Sequence, residues 1–200
     1  MKRLVLAFLV FAAFAASASS ASATVLCKTA TNPCGSIYPA KTQLEANLTF
    51  GESIFELSSG FIFSVCKEEA LSAAISNPGG PSTSVTASVN GLKFVKCEGF
   101  AKTVLKFGSL KINHIPGTHN GTVVVDEAEW TFIVPGEVDC RWGINNGTVG
   151  VLTGGSNPVL HVHMTMPRLF GFPCYGYEEE VRWTSSFTFT APTPLYVEPS

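Results

Sequence analysis

The residues in this chain best equipped for chemistry are few and widely spaced. His161-Val162-His163 puts two imidazoles on one face if the segment is extended, because strand side chains repeat every two residues. Two ring nitrogens begin a zinc site, but a third ligand is required, and the fold would have to bring in His114, His119 or a carboxylate. The competing reading is an amphipathic strand, with Val159, His161, His163 and Thr165 on one side and Leu160, Val162, Met164 and Met166 on the other. Glu127 and Glu129 also share a strand face and invite a glycosidase reading. Glycosidase carboxylates usually face each other across a cleft from different elements, so a solvated strand face competes there as well. Glu178-Glu179-Glu180 reads as a solvated loop before a strand.

Flat aromatic rings at the surface would stack on sugars. Of the three tryptophans, Trp130 and Trp183 sit inside apolar strand patterns and read as core. Trp142, beside Cys140, Arg141 and a Gly-Asn-rich loop, is the surface candidate, with Arg141 as its polar neighbour, although tryptophan is highly buried on average. No G-x-S-x-G elbow, H-E-x-x-H or P-loop occurs, which lowers the case for an enzyme, although triads are geometric and need no local motif. No cofactor is indicated. Asn47-Leu48-Thr49, Asn120-Gly121-Thr122 and Asn146-Gly147-Thr148 match the glycosylation acceptor, and Asn120 and Asn146 also make sense as turn residues.

The elements that must hold these residues are strands. Short alternating or β-branched runs recur: Leu44, Ala46 and Leu48; Phe61 to Val65; Leu92 to Lys96; Val104 to Ile112; Thr122 to Val125; Trp130 to Val134; Val159 to Met166; Val181 to Phe189. Between them lie Asn77-Pro78-Gly79-Gly80-Pro81, Asn90-Gly91, Pro116-Gly117, Asn120-Gly121, Pro135-Gly136, Asn145-Asn146-Gly147 and Gly154-Gly155, residues that suit tight turns. The spacing predicts an all-β fold, an antiparallel β-sandwich or Greek-key-like domain. Lys67 to Ile75 is rich in helix formers, with Leu71 and Ile75 four apart, and reads equally as a helical turn or as a strand.

The N-terminus reads as an export signal over residues 1–23. Lys2 and Arg3 precede an apolar run from Leu4 to Ala16, and Ala21-Ser22-Ala23 has the form cut by signal peptidase, which predicts cleavage before Thr24. The run of about 13 residues is short against the roughly 20 that a spanning helix needs, and no second apolar segment follows. Removal leaves 177 residues, one domain at 24–200, and shifts the formal charge from −2 to −4. With its lysines and arginines scattered, such a chain is a poor nucleic-acid binder. All six cysteines (Cys27, Cys34, Cys66, Cys97, Cys140 and Cys174) fall after the signal and contain no C-x-x-C pair, so disulfides are expected. Six cysteines allow about 15 connectivities. Sequential pairing is the expectation: Cys27 with Cys34, Cys66 with Cys97, Cys140 with Cys174.

Cys27-Lys28 with Pro33-Cys34, then Ile37-Tyr38-Pro39-Ala40, Leu92-x-Phe94-x2-Cys97, Asn120-Gly121-Thr122 and the closing Thr188-Phe189-Thr190-x-Pro192-Thr193-Pro194-Leu195-Tyr196-Val197 form a recognisable layout. It resembles a family of secreted, uncharacterised proteins of soil actinobacteria, over nearly the whole mature chain. The resemblance implies export, disulfides and β architecture and carries no site residues across. Lys67 to Ala70 and His161-Val162-His163 depart from it. The expectation is a noncatalytic extracellular protein acting through its surface, envelope-associated, adhesive or carbohydrate-binding, with a cell-wall polysaccharide or another surface protein as partner. The alternative is a secreted, glycan-active hydrolase whose site assembles only in the fold.

Overall fold

The computed structural model describes residues 23–49, 51–99, 101–133, 140–170 and 180–200. Every regular element among them is a β-strand. The first five are β1 (Thr24–Cys27), β2 (Gln43–Leu48), β3 (Ser53–Leu57), β4 (Ile62–Asn77) and β5 (Gly79–Gly80). Then come β6 (Val85–Gly99), β7 (Ala101–Lys106), β8 (Ser109–His114), β9 (Gly121–Asp126) and β10 (Ala128–Ile133). The chain ends with β11 (Cys140–Ile144), β12 (Gly147–Thr153), β13 (Val159–Phe170), β14 (Glu180–Ala191) and β15 (Tyr196–Glu198).

The all-β, antiparallel expectation holds, but the sandwich does not: the sheet closes into an eight-stranded barrel. Its ring runs β2, β4, β6, β8, β9, β12, β13, β14 and back to β2. Four wall positions are each built from two strands lying end to end: β2 with β3, β7 with β8, β9 with β10, and β11 with β12. Thus β2 and β3 both lie between β14 and β4, meeting successive stretches of each. Read this way, sequence neighbours are wall neighbours all round, an up-and-down meander that pairing of β14 with β2 and β3 closes. Closure removes most of the free edges that a sandwich would leave. Alternating strands and tight turns suit both architectures, and the pairing that decides between them joins the two ends of the chain.

Lys67 to Ile75 is strand, part of β4, paired with β6 over most of its length and with β2 from Ala70 to Ala74. Its helix propensity of a few tenths of a kcal/mol per residue is outweighed by two ladders and by burial of Ala73 and Ile75. Two expected disulfides are formed, Cys27–Cys34 and Cys66–Cys97, the latter between directly opposed residues of β4 and β6. Cys140 is disulfide-bonded, whereas Cys174 lies outside the described residues, as do residues 1–22 of the expected signal and Glu178 and Glu179.

Along β13 and β14 alternate residues are buried, Leu160, Val162, Met164 and Met166 against Val181, Trp183, Ser185 and Phe187, and the residues between them face out. On these two strands the inner face is mainly apolar and the outer face mainly polar, the reverse of a lipid-facing wall. No helix among the described residues is long and apolar enough to cross a membrane. A small sheet of β15, β1 and β5 covers one end, burying Leu26 and Val197 against β6 and β8. Tyr38 ties this cap by donating to the Pro194 carbonyl at 2.6 Å.

Candidate ligand site in the barrel interior

One stretch of the wall is unpaired. β6 pairs with β8 only over Val85 to Ser88, and among the described residues no ladder joins the rest of β6 to β7, which pairs instead with β10. Two glycines bound the stretch. Gly99, at φ 92°, turns the chain out of β6, and Gly108, at φ 68°, turns it from β7 into β8. A Cβ at Gly108 would stand 2.2 Å from the Asp126 carbonyl oxygen, and one at Gly99 would stand 2.1 Å from that of Phe63. Neither position has space or backbone freedom for a side chain. The inward residues of this stretch, Val89, Leu92, Phe94, Val104 and Phe107, are only half-buried, whereas those of β13 and β14 across the barrel are closed off.

Behind the opening lies a cavity of about 40 Å³ with an almost wholly apolar lining. Leu71, Leu110, Val125, Leu160, Val162 and Phe187 line it together with Trp130 and Trp183. The volume exceeds the roughly 10–15 Å³ that one water requires, but the lining offers few of the polar partners that hold water.

A polar layer lies directly beneath. Glu69 precedes the cavity residue Leu71 by two positions on β4, Lys102 precedes Val104 by two on β7, and Ser185 lies between Trp183 and Phe187 on β14. The strand period of two brings all three to the inner face. Glu69 is 4% exposed. Ser185 Oγ donates to its Oε2 at 3.0 Å, and Trp183 Nε1 donates to the neighbouring Ser53 Oγ at 2.8 Å. Among the described residues Glu69 Oε1 has no well-formed hydrogen-bond partner. Burial raises the Glu69 pKa to about 7, against the opposing pull of Ser53, Ser185 and the Lys102 charge. Lys102 reaches across the unpaired stretch from β7 to donate to Ser64 Oγ on β4 at 2.7 Å. Its ammonium lies 4.7 Å from the Phe55 ring centre and 5.0 Å from that of Phe94. Burial lowers its pKa to about 8, against the Glu69 charge. Below the layer, Phe55, Phe63, Phe132, Trp142 and Trp183 pack edge to face or stacked.

The residues singled out from sequence lie elsewhere. Trp142, the surface candidate for which burial was the competing reading, is 1% exposed and packs on Phe132: the inward parity of β11 decides its place, and no sugar can reach the ring. Arg141 does face out, 3.5 Å from Glu129. His161 and His163 share the outer face of β13 as the amphipathic reading has it, and His161 Nδ1 lies 3.2 Å from Ser186 Oγ. No group of three potential metal ligands occurs among the described residues. Glu127, at φ 58°, is the hinge between β9 and β10. Trp130 and Trp183 are core, as expected, yet both also line the cavity, and among the described residues Trp130 Nε1, like Trp142 Nε1, has no hydrogen-bond partner.

Glu69 and Lys102 went unnoticed in the sequence. The available signal was parity: Glu69, Leu71, Ala73 and Ile75 alternate inward once Lys67 to Ile75 is taken as strand. Comparison with models of known families, with curated proteins and with solved structures found no match to this chain.

Proposed function

We propose that this is a noncatalytic, extracellular binding protein that takes a small apolar ligand into the barrel through the opening between β6 and β7. The observation that carries this reading is the apolar cavity behind an unpaired stretch of wall. A purely structural barrel gains by filling such a space, since each unfilled volume forfeits packing energy. The expected surface function is thereby moved inside: buried tryptophans cannot stack on a polysaccharide, and the outer face offers scattered apolar residues rather than an aromatic platform. The hydrolase alternative has less support, because the two buried carboxylates among the described residues do not face each other across a cleft: Glu69 lies inside the barrel and Glu198 in the cap sheet against His119.

The test is native mass spectrometry and organic extraction of protein purified from culture medium, beside a pull-down on cell-wall material and insoluble polysaccharides. A co-purifying small apolar compound, with no retention on polysaccharide, is the expected result. Retention on polysaccharide with an empty interior would return the function to the surface.

A further inference from the structure

We propose that the ligand is a small neutral ketone whose carbonyl oxygen accepts a hydrogen bond from Trp130 Nε1–H inside the barrel. This rests on the reading of the interior as a binding site and adds the chemistry of the occupant. Among the residues that line the cavity, only Trp130 and Trp183 carry a side-chain nitrogen or oxygen. Trp183 Nε1 is taken up by Ser53 Oγ at 2.8 Å, whereas Trp130, 3% exposed, has no acceptor for its Nε1–H among the described residues. Trp142 Nε1 is unpaired too, but Trp142 packs on Phe132 and does not belong to the lining. The pairing of β10 with β7 puts Trp130 directly opposite Val104, one of the half-buried residues of the opening. A molecule that enters between β6 and β7 therefore meets this indole.

The unused donor selects the functional group. A buried N–H without an acceptor has given up its bond to water, and an oxygen brought in by a ligand restores one. The rest of the lining is hydrocarbon apart from the Met164 thioether, a weak acceptor, so a hydroxyl or amide N–H on the ligand would itself be stranded. A carbonyl accepts and does not donate, which matches a lining with one free donor and no strong acceptor. An ionised group would lose its hydration without gaining a partner in the lining, and stays outside with the exposed Lys93 of β6 and Lys106 of β7. Glu69 and Lys102 do not belong to the lining, and their charges and hydrogen bonds are directed to each other and to Ser53, Ser64 and Ser185. Size follows from the space. At about 40 Å³ it is little larger than the roughly 30 Å³ that one water takes in the liquid, so the enclosed group is a carbonyl with the carbons next to it.

The experiment is titration of the intact ¹⁵N-labelled protein with butanone, sec-butanol and butane, read at the indole N–H signals after triple-resonance assignment, with Trp130→Phe alongside. Butanone is expected to bind about tenfold tighter than sec-butanol, whose hydroxyl proton finds no acceptor, and to move the Trp130 N–H downfield, because a hydrogen bond deshields the proton. Butane is expected to enter without that downfield movement. In Trp130→Phe the affinity for butanone relative to butane should fall about tenfold. An alcohol bound as tightly as the ketone, ketone binding with no downfield movement at Trp130, or binding of butane alone overturns the ketone while leaving interior binding intact. Failure of all three to bind overturns both. A ketone-to-butane ratio unchanged in Trp130→Phe places the oxygen elsewhere and overturns the assignment to Trp130. The series on wild-type protein decides by itself, whatever the variant's stability.

Discussion

At the scale of single residues, Glu69 is a buried carboxylate whose behaviour is readily measured. The folded protein retains its proton up to about pH 7, while the unfolded chain releases it near the ordinary value of 4.5. Between those values the unfolded state binds fewer protons than the folded one, so stability falls as pH rises. The expected loss from pH 4.5 to 8 is on the order of 3 kcal/mol, and Glu69→Gln, which keeps the shape and stays neutral, should flatten the profile. Urea denaturation of both proteins across this range checks it. Parallel profiles would mean that Glu69 is solvated. Residue identities were legible where burial follows from type: Trp130 and Trp183 read as core because apolar alternation surrounds them. Trp142 misled because a Gly-Asn-rich neighbourhood suggested a loop, whereas β11 runs through it and its parity turns the ring inward.

At the scale of elements, the strands were largely legible and their junctions were not. The two histidines and the apolar face behind them were placed correctly on β13, since period-two patterning is local. Lys67 to Ile75 was ambiguous because its composition favours one state and its partners impose the other. Nothing local marks the division of one long wall strand into β7 and β8, which depends on Gly108 approaching the Asp126 carbonyl in the neighbouring strand. Gly108→Ala forces both a strained φ and a steric clash with backbone, and should cost roughly 2 kcal/mol or more. A denaturation midpoint unchanged from wild type would show that the β7–β8 junction tolerates a side chain and that the wall is not pinned there. By contrast, Gly117 stands in open space, so Gly117→Ala pays only for its positive φ and serves as the milder comparison.

At the scale of the whole molecule, closure is the property that sequence conceals. Hairpin-linked strands with tight turns describe a sandwich and an up-and-down barrel equally well. The contacts that distinguish them, Phe187 with Leu48 and Val181 with Leu57, join residues more than a hundred positions apart. Closure also creates the site, because it turns one face of every strand toward a common interior and leaves β6 and β7 apart at one place in the wall. The proposed interior binding requires that an apolar ligand enter there and lie against Trp130 and Trp183 of the cavity lining. Its most direct test is the indole N–H region of the ¹H–¹⁵N spectrum during titration with octanoate. Trp130, which lines the cavity with its nitrogen unpaired, is predicted to shift, and Trp142, buried but away from the cavity, to stay in place. Unmoved indoles with shifts confined to the outer lysines would contradict it.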